Sequence, residues 1–137
     1  MLPLIVTAGI MRRGHKILIA QRYVKTEHAL KWEFPGGKLE EGETPESCLI
    51  REIKEELNLT ILVDDIFSVV YHAYEDKTVL LLCYLCTYVS GEGKALECND
   101  FHWIDLQEMD NYEFVEADLQ IVDKINRQGN KLFELTV

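Results

Sequence analysis

Between Thr44 and Asn58 the sequence carries both ends of one helix, and this segment constrains the fold more than any other. Thr44 stands where an N-cap is wanted, and Pro45 follows at the first helical position, where a missing N–H does no harm. The helix is expected to run to about Leu57. Asn58 then falls where a left-handed C-terminal cap belongs, a role that Gly fills best and Asn tolerates. Ile50, Ile53 and Leu57 recur at helical spacing and are expected to pack. At ~100° per residue, Glu52, Glu55 and Glu56 fall within an arc of ~100° on the other side. Seven of the chain's 24 acidic residues (Glu40, Glu41, Glu43, Glu46, Glu52, Glu55 and Glu56) crowd into residues 37–59.

The flanking segments are strand-like. Residues 4–11 are apolar and rich in β-branched side chains, and 16–22 resume after Arg13-Gly14-His15, which predicts a strand, a tight turn and a second strand ending at Arg22. Residues 23–31 are polar and read as a lid or a simple connection. Pro35-Gly36-Gly37 reads as a turn whose glycines allow backbone to lie beside a ligand. Residues 60–75 and 77–90 read as two strands about a Glu75-Asp76-Lys77 turn, and residues 101–104 as a short strand. A last helix, about Glu116 to Arg127, is expected to bury Leu119, Val122 and Ile125, with Ile121 near the margin and Gly129 as its stop. Helices and strands thus interleave around one mixed sheet, an α/β or α+β fold in a single domain spanning 1–137.

A formal net charge of -10 argues against binding a nucleic-acid polymer, because that mode needs clustered Lys and Arg. It leaves room for one nucleotide carried to an acidic site by divalent cations. Of the four cysteines only Cys83 and Cys86 are close, and on a strand they face opposite sides, so buried reduced thiols and a cytoplasmic location are expected. No run approaches the ~20 apolar residues of a membrane span, and the apolar-then-basic N-terminus reverses the order of a secretory signal.

Three carboxylates on adjacent helical turns repel one another. Either the face is solvated and relieved by Arg51 and Lys54, or it holds a hard cation, Mg²⁺ or Mn²⁺, for which oxygen ligands are suited. Spacing alone does not choose.

A resemblance does. Gly37, five residues, Glu43, seven residues, then Arg51-Glu52-Ile53-Lys54-Glu55-Glu56-Leu57-Asn58-Leu59 resembles the Nudix box, Gx5Ex7REUxEExGU, with Asn58 in place of glycine as the one departure. Trp32-Glu33-Phe34-Pro35-Gly36-Gly37-Lys38, Arg22, Glu97 with Trp103, and Ala117-Asp118 are similar to the flanks of MutT-type members, which include 8-oxo-dGTP diphosphatases and CTP pyrophosphohydrolases.

The resemblance implies a Nudix fold and Mg²⁺-dependent hydrolysis of a nucleoside triphosphate to a monophosphate and pyrophosphate, as in nucleotide-pool cleansing for DNA repair. By position it implies that Gly36 (through its carbonyl), Glu52, Glu55, Glu56 and Glu97 bind metal, and that Glu52 and Arg51 serve catalysis with Glu43 in support. Arg22, Phe34, Gly37, Lys38 and Asp118 would contact substrate. Plain alternatives stand beside these roles: Asp118 as N-cap of the last helix, Phe34 and Tyr74 as core aromatics, Arg22 in a surface ion pair. His28 receives no role. Hydrolysis of ADP-ribose or dinucleoside polyphosphates, and nucleotide sensing without cleavage, are the competing functions; a monomer and a homodimer are both compatible with the sequence.

Overall fold

The structure is a computed structural model and describes residues 2–134; Met1 and residues 135–137 of the expected 1–137 domain lie outside the described residues. Strands β1 (Leu4–Arg13) and β2 (Lys16–Gln21) form the expected hairpin, with Gly14 at φ 61° in its turn. Arg22 stands just past the end of β2.

Where a plain turn was expected, the chain makes two very short strands, β3 (Trp32–Glu33) and β4 (Gly36–Lys38). β4 pairs antiparallel with β1 through Val6↔Lys38, Thr7↔Gly37 and Ala8↔Gly36. A Cβ on Gly36 would lie 2.0 Å from the Thr7 carbonyl oxygen, so glycine is what permits this approach.

Helix α1 (Pro45–Leu57) has the expected ends. The Thr44 hydroxyl accepts from the Ser47 N–H at 3.1 Å, and the Ser47 hydroxyl oxygen accepts from the Thr44 N–H at 3.2 Å. Asn58 adopts φ 59°, ψ 36°, and its N–H donates to the Lys54 carbonyl. Two expectations about its faces are corrected. The buried side is made of Cys48, Leu49, Ile53, Glu56 and Leu57, while Ile50 is 41% exposed. The buried arc is centred between Leu49, Ile53 and Glu56, so Ile50 falls past its margin and Glu56 falls inside it.

Strands β5 (Thr60–Ala73) and β6 (Thr78–Ser90) form a long hairpin closed by the Tyr74 N–H donating to the Lys77 carbonyl. β6 runs parallel to β1 from Leu4↔Val79 to Arg12↔Thr87, and β7 (Asp100–Ile104) pairs antiparallel with β2. The mixed sheet has the order β3-β2-β1-β6-β5, with β4 on β1 and β7 on β2.

Residues Leu106–Asn111 and Glu116–Asp118 are 3-10 turns, and α2 (Leu119–Gln128) follows, stopped at Gly129 (φ 56°) as expected. Its core residues are Ile121 and Ile125, ~40° apart on the helix, with Val122 partly buried and Leu119 half exposed outside that arc, a correction to the expected face.

The helices lie on opposite faces of the sheet, as an α+β sandwich requires. Met11, Leu49, Ile53, Leu57 and Cys86 fill the α1 side, and Ile10, Phe67, Cys83, Ile121 and Ile125 the α2 side. Cys83 and Cys86 thus face opposite ways, and all four thiols are free and buried. Among the described residues no helix is long and apolar enough to cross a membrane.

Candidate active site

The box segment folds so that β4 lies against the polar flank of α1. A Cβ on Gly37 would lie 2.2 Å from Cδ of Glu52, so the Glu52 side chain occupies the space that any larger residue would need. The strand is pinned there by the Thr7 hydroxyl donating to the Gly37 carbonyl at 3.1 Å and by the buried Cys48 thiol against the Lys38 carbonyl at 3.3 Å.

Arg51 organises the acids around it. Its Nε and Nη2 donate to the two carboxylate oxygens of Glu43 at 2.7 and 2.9 Å, and its Nη1 donates to Glu52 at 2.9 Å and Glu55 at 3.1 Å. The bidentate pair holds the Glu43 carboxyl down at about 2 and raises the Arg51 guanidinium. Glu52 is pushed up by burial, which outweighs the opposing pull of Arg51.

Glu56 has a different environment. It is 7% exposed, its carboxylate makes no hydrogen bond or ion pair among the described residues, and it is pushed up to about 9, first by burial and then by repulsion from Glu33, Glu52 and Glu97. Its neighbour Glu97 is exposed and arrives through the backbone. The last carbonyls of α1 have no partners within the helix, and they accept instead from the loop before β7: Leu57 from Lys94 at 2.9 Å, Glu56 from Leu96 at 2.9 Å and from Glu97 at 3.2 Å.

A divalent cation is implied by such a donor set. The residues fit one: Glu52, Glu55, Glu56 and Glu97 are hard oxygen donors, and a buried carboxyl surrounded by others of its kind gains most from a positive charge. Among the described residues no three carboxylates converge as a ready chelate, because Glu52 and Glu55 turn to Arg51.

Beside this cluster opens a cavity of about 370 Å³ lined by Arg22, Glu33, Phe34, Gly36, Gly37, Lys38, Tyr74 and Asp118, among others. Asp118 sits within it at 4% exposure, and its Oδ2 accepts from the Phe34 N–H at 2.8 Å. No side-chain cap bond is made to α2, so the capping alternative for Asp118 fails. Burial pushes its carboxyl up to about 8.

Phe34 stacks on Phe114 in the core at 5.2 Å while lining the cavity, so the core reading of this ring holds as well. The Tyr74 hydroxyl accepts from the Ala117 N–H at 3.1 Å, which keeps the ring against the wall. Arg22 makes the expected kind of ion pair, Nη1 to Glu33 at 3.1 Å, and its Nε donates to the Glu27 carbonyl.

The structure therefore gathers Arg51, Glu52, Glu43 and Glu55 in one network, sets Glu56 and Glu97 beside it, and places Arg22, Phe34, Gly36, Gly37, Lys38 and Asp118 around one cavity. Sequence reasoning passed over two wall residues. Glu33 is a carboxyl raised by burial and partly offset by Arg22; its signal was a lone charge between Trp32 and Phe34. His28, at φ 57°, packs its ring 4.9 Å from that of Tyr74, and nothing local marks it.

The sequence and the fold are similar to those of known proteins. The NUDIX domain family model matches residues 1–125. The 8-oxo-dGTP diphosphatase of Escherichia coli K12 is 31% identical over 123 residues, 89% of this chain and 95% of that protein. The CTP pyrophosphohydrolase of the same organism is 30% identical over 118 residues, 86% and 87% of the two chains. The solution structure of the E. coli ORF135 protein superposes with a TM-score of 0.82 at 27% identity, covering 93% of this chain and 91% of that one. The chain belongs to the Nudix family and is a Nudix hydrolase.

Proposed function

We propose that the chain, as one Nudix domain over residues 1–137, is a Mg²⁺- or Mn²⁺-dependent nucleoside triphosphate pyrophosphohydrolase. It would act in the cytoplasm on an oxidised guanine nucleotide or a (d)CTP-type nucleotide and release the monophosphate and pyrophosphate. The observation that carries this reading is the buried Asp118 carboxyl, fixed by the Phe34 N–H inside a cavity that adjoins the box helix. Its size suits a single nucleoside.

Glu55, Glu56, Glu97 and the Gly36 carbonyl, with Glu52, are the residues assigned to hold the cation. When bound, it neutralises charge on the phosphate oxygens and acidifies water. Glu52 is assigned to take the proton of the attacking water, and Arg51 to position Glu52 at 2.9 Å. Glu43 holds Arg51 from behind through two bonds. Arg22 and Lys38 supply positive charge at the cavity rim for phosphate oxygens.

At Asp118, Oδ2 is engaged by Phe34, which leaves Oδ1 for the base. Ionised, it accepts from an exocyclic amine such as cytosine N4; protonated, it donates to a ring carbonyl such as that of oxidised guanine. The test is a side-by-side assay of 8-oxo-dGTP, dGTP, dCTP, CTP and 5-methyl-dCTP with Mg²⁺, repeated with Asp118→Asn. Pyrophosphate release from at least one substrate, re-ranked by the substitution, is expected. Cleavage of ADP-ribose with no triphosphate turned over would overturn the proposal.

A further inference from the structure

The one departure from the box falls at Asn58, where the motif has glycine. The left-handed cap at φ 59° accounts for the backbone of this residue, because glycine would donate to the Lys54 carbonyl equally well. The side chain does something more. Its Nδ2 donates to the Glu92 carbonyl at 3.3 Å, 34 residues along the chain, and glycine has no atom that could make this bond.

Glu92 opens the loop that delivers Glu97. Among the described residues, the internal backbone bond of this loop runs from the Leu96 N–H to the Lys94 carbonyl, so the loop takes its place from its neighbours. At its entry the Tyr88 hydroxyl donates to the Gly91 carbonyl at 2.7 Å, and Asn58 holds the carbonyl that follows. Further on, the amides of Lys94, Leu96 and Glu97 dock on the last carbonyls of α1. Gly91, at φ 107°, lies so near that a Cβ on it would be 2.7 Å from the Asn58 carbonyl oxygen. Asn58 therefore meets the loop entry through backbone and side chain alike, while the Glu97 carboxylate at the far end is exposed.

We infer that Asn58 is a positioning residue for Glu97. Its side-chain amide clamps the loop entry to the end of α1, and the Glu97 carboxylate is held beside Glu56 with less freedom than a glycine at position 58 would leave it. This rests on the assignment of Glu97 to the cation site.

Asn58→Gly restores the box residue and keeps the left-handed cap, so it removes the clamp alone; Asn58→Asp keeps the side-chain shape and removes the donor. Hydrogen exchange of the full chain without metal is the first readout. Both variants are expected to speed exchange of the Lys94, Leu96 and Glu97 amides roughly two- to five-fold relative to those of Leu49 and Ile53 in α1, the scale of one exposed hydrogen bond. Calorimetric titration with Mn²⁺ is the second. Both variants should bind it roughly two- to five-fold more weakly, whereas Glu97→Gln and Asn58→Gly/Glu97→Gln should bind it alike, because the clamp acts through Glu97. Unchanged exchange in the loop, or an equal loss of Mn²⁺ affinity on adding Asn58→Gly to Glu97→Gln, would overturn the inference. Faster loop exchange with wild-type Mn²⁺ affinity in Glu97→Gln would instead uphold the clamp and remove Glu97 from the cation site.

Discussion

Asp118 is enclosed, and its carboxyl sits at about 8 against an ordinary value near 4. A carboxyl raised in the folded state binds its proton more tightly there than in the unfolded chain. Its contribution to stability is complete below about pH 4 and is lost as pH rises towards 8, with a slope of at most about 1.4 kcal/mol per pH unit. Asp118→Asn keeps an acceptor for the Phe34 N–H and removes the ionisation. Thermal melts should therefore show the variant gaining on the wild type between pH 5 and pH 8, by up to roughly ten degrees, and matching it in acid. Glu52 gives the companion prediction for chemistry. Glu52→Gln is expected to lower kcat by two or more orders of magnitude while shifting Tm little, since the amide fills the same space beside Gly37. A variant with near-wild-type kcat would remove Glu52 from the role of base.

At the scale of elements, α1 depends on its ends. Thr44→Ala should cost about 1 kcal/mol by removing the N-cap acceptor. Asn58→Ala should cost a similar amount, about 1 kcal/mol, because alanine is strained in the left-handed region that Asn58 occupies. Urea unfolding would measure both. These caps were legible in the sequence because their bonds are local, three or four residues apart. The faces were less so. Ile50, Ile53 and Leu57 have the right spacing, but which arc is buried depends on where the sheet meets the helix, and that placed Glu56 inside and Ile50 out. β3 and β4 are two and three residues long, too short for periodicity, and exist because β1 and β2 pair with them. Asp118 acquired its partner from Phe34, 84 residues away, so its local surroundings suggested only a cap.

Across the whole molecule, Arg12 ties the sheet to the C-terminal region. It is 5% exposed, donates from Nε to Cys86 and from Nη1 to Leu132, and pairs through Nη2 with Asp64 at 2.9 Å, which also accepts from the Thr87 hydroxyl. Arg12→Met should cost about 2–3 kcal/mol, since it leaves the part-buried Asp64 with only the Thr87 hydroxyl and removes the guanidinium donor from the Leu132 carbonyl. Divalent cations are expected to act globally as well. Mg²⁺ or Mn²⁺ bound by the native carboxylates should raise the wild-type Tm with concentration, and Glu56→Gln should weaken that response. An identical response in both proteins would remove Glu56 from the binding set.

The backbone seam between α1 and the loop before β7 sets a rule for how this chain can vary in length. Because Lys94, Leu96 and Glu97 dock by their amides on the carbonyls of Glu56 and Leu57, one residue inserted between Lys94 and Glu97 would carry the acid about 3.4 Å out of step with the helix. Functional descendants of this sequence should keep the count of the four residues from Lys94 to Glu97 fixed, as strictly as the spacing within the box.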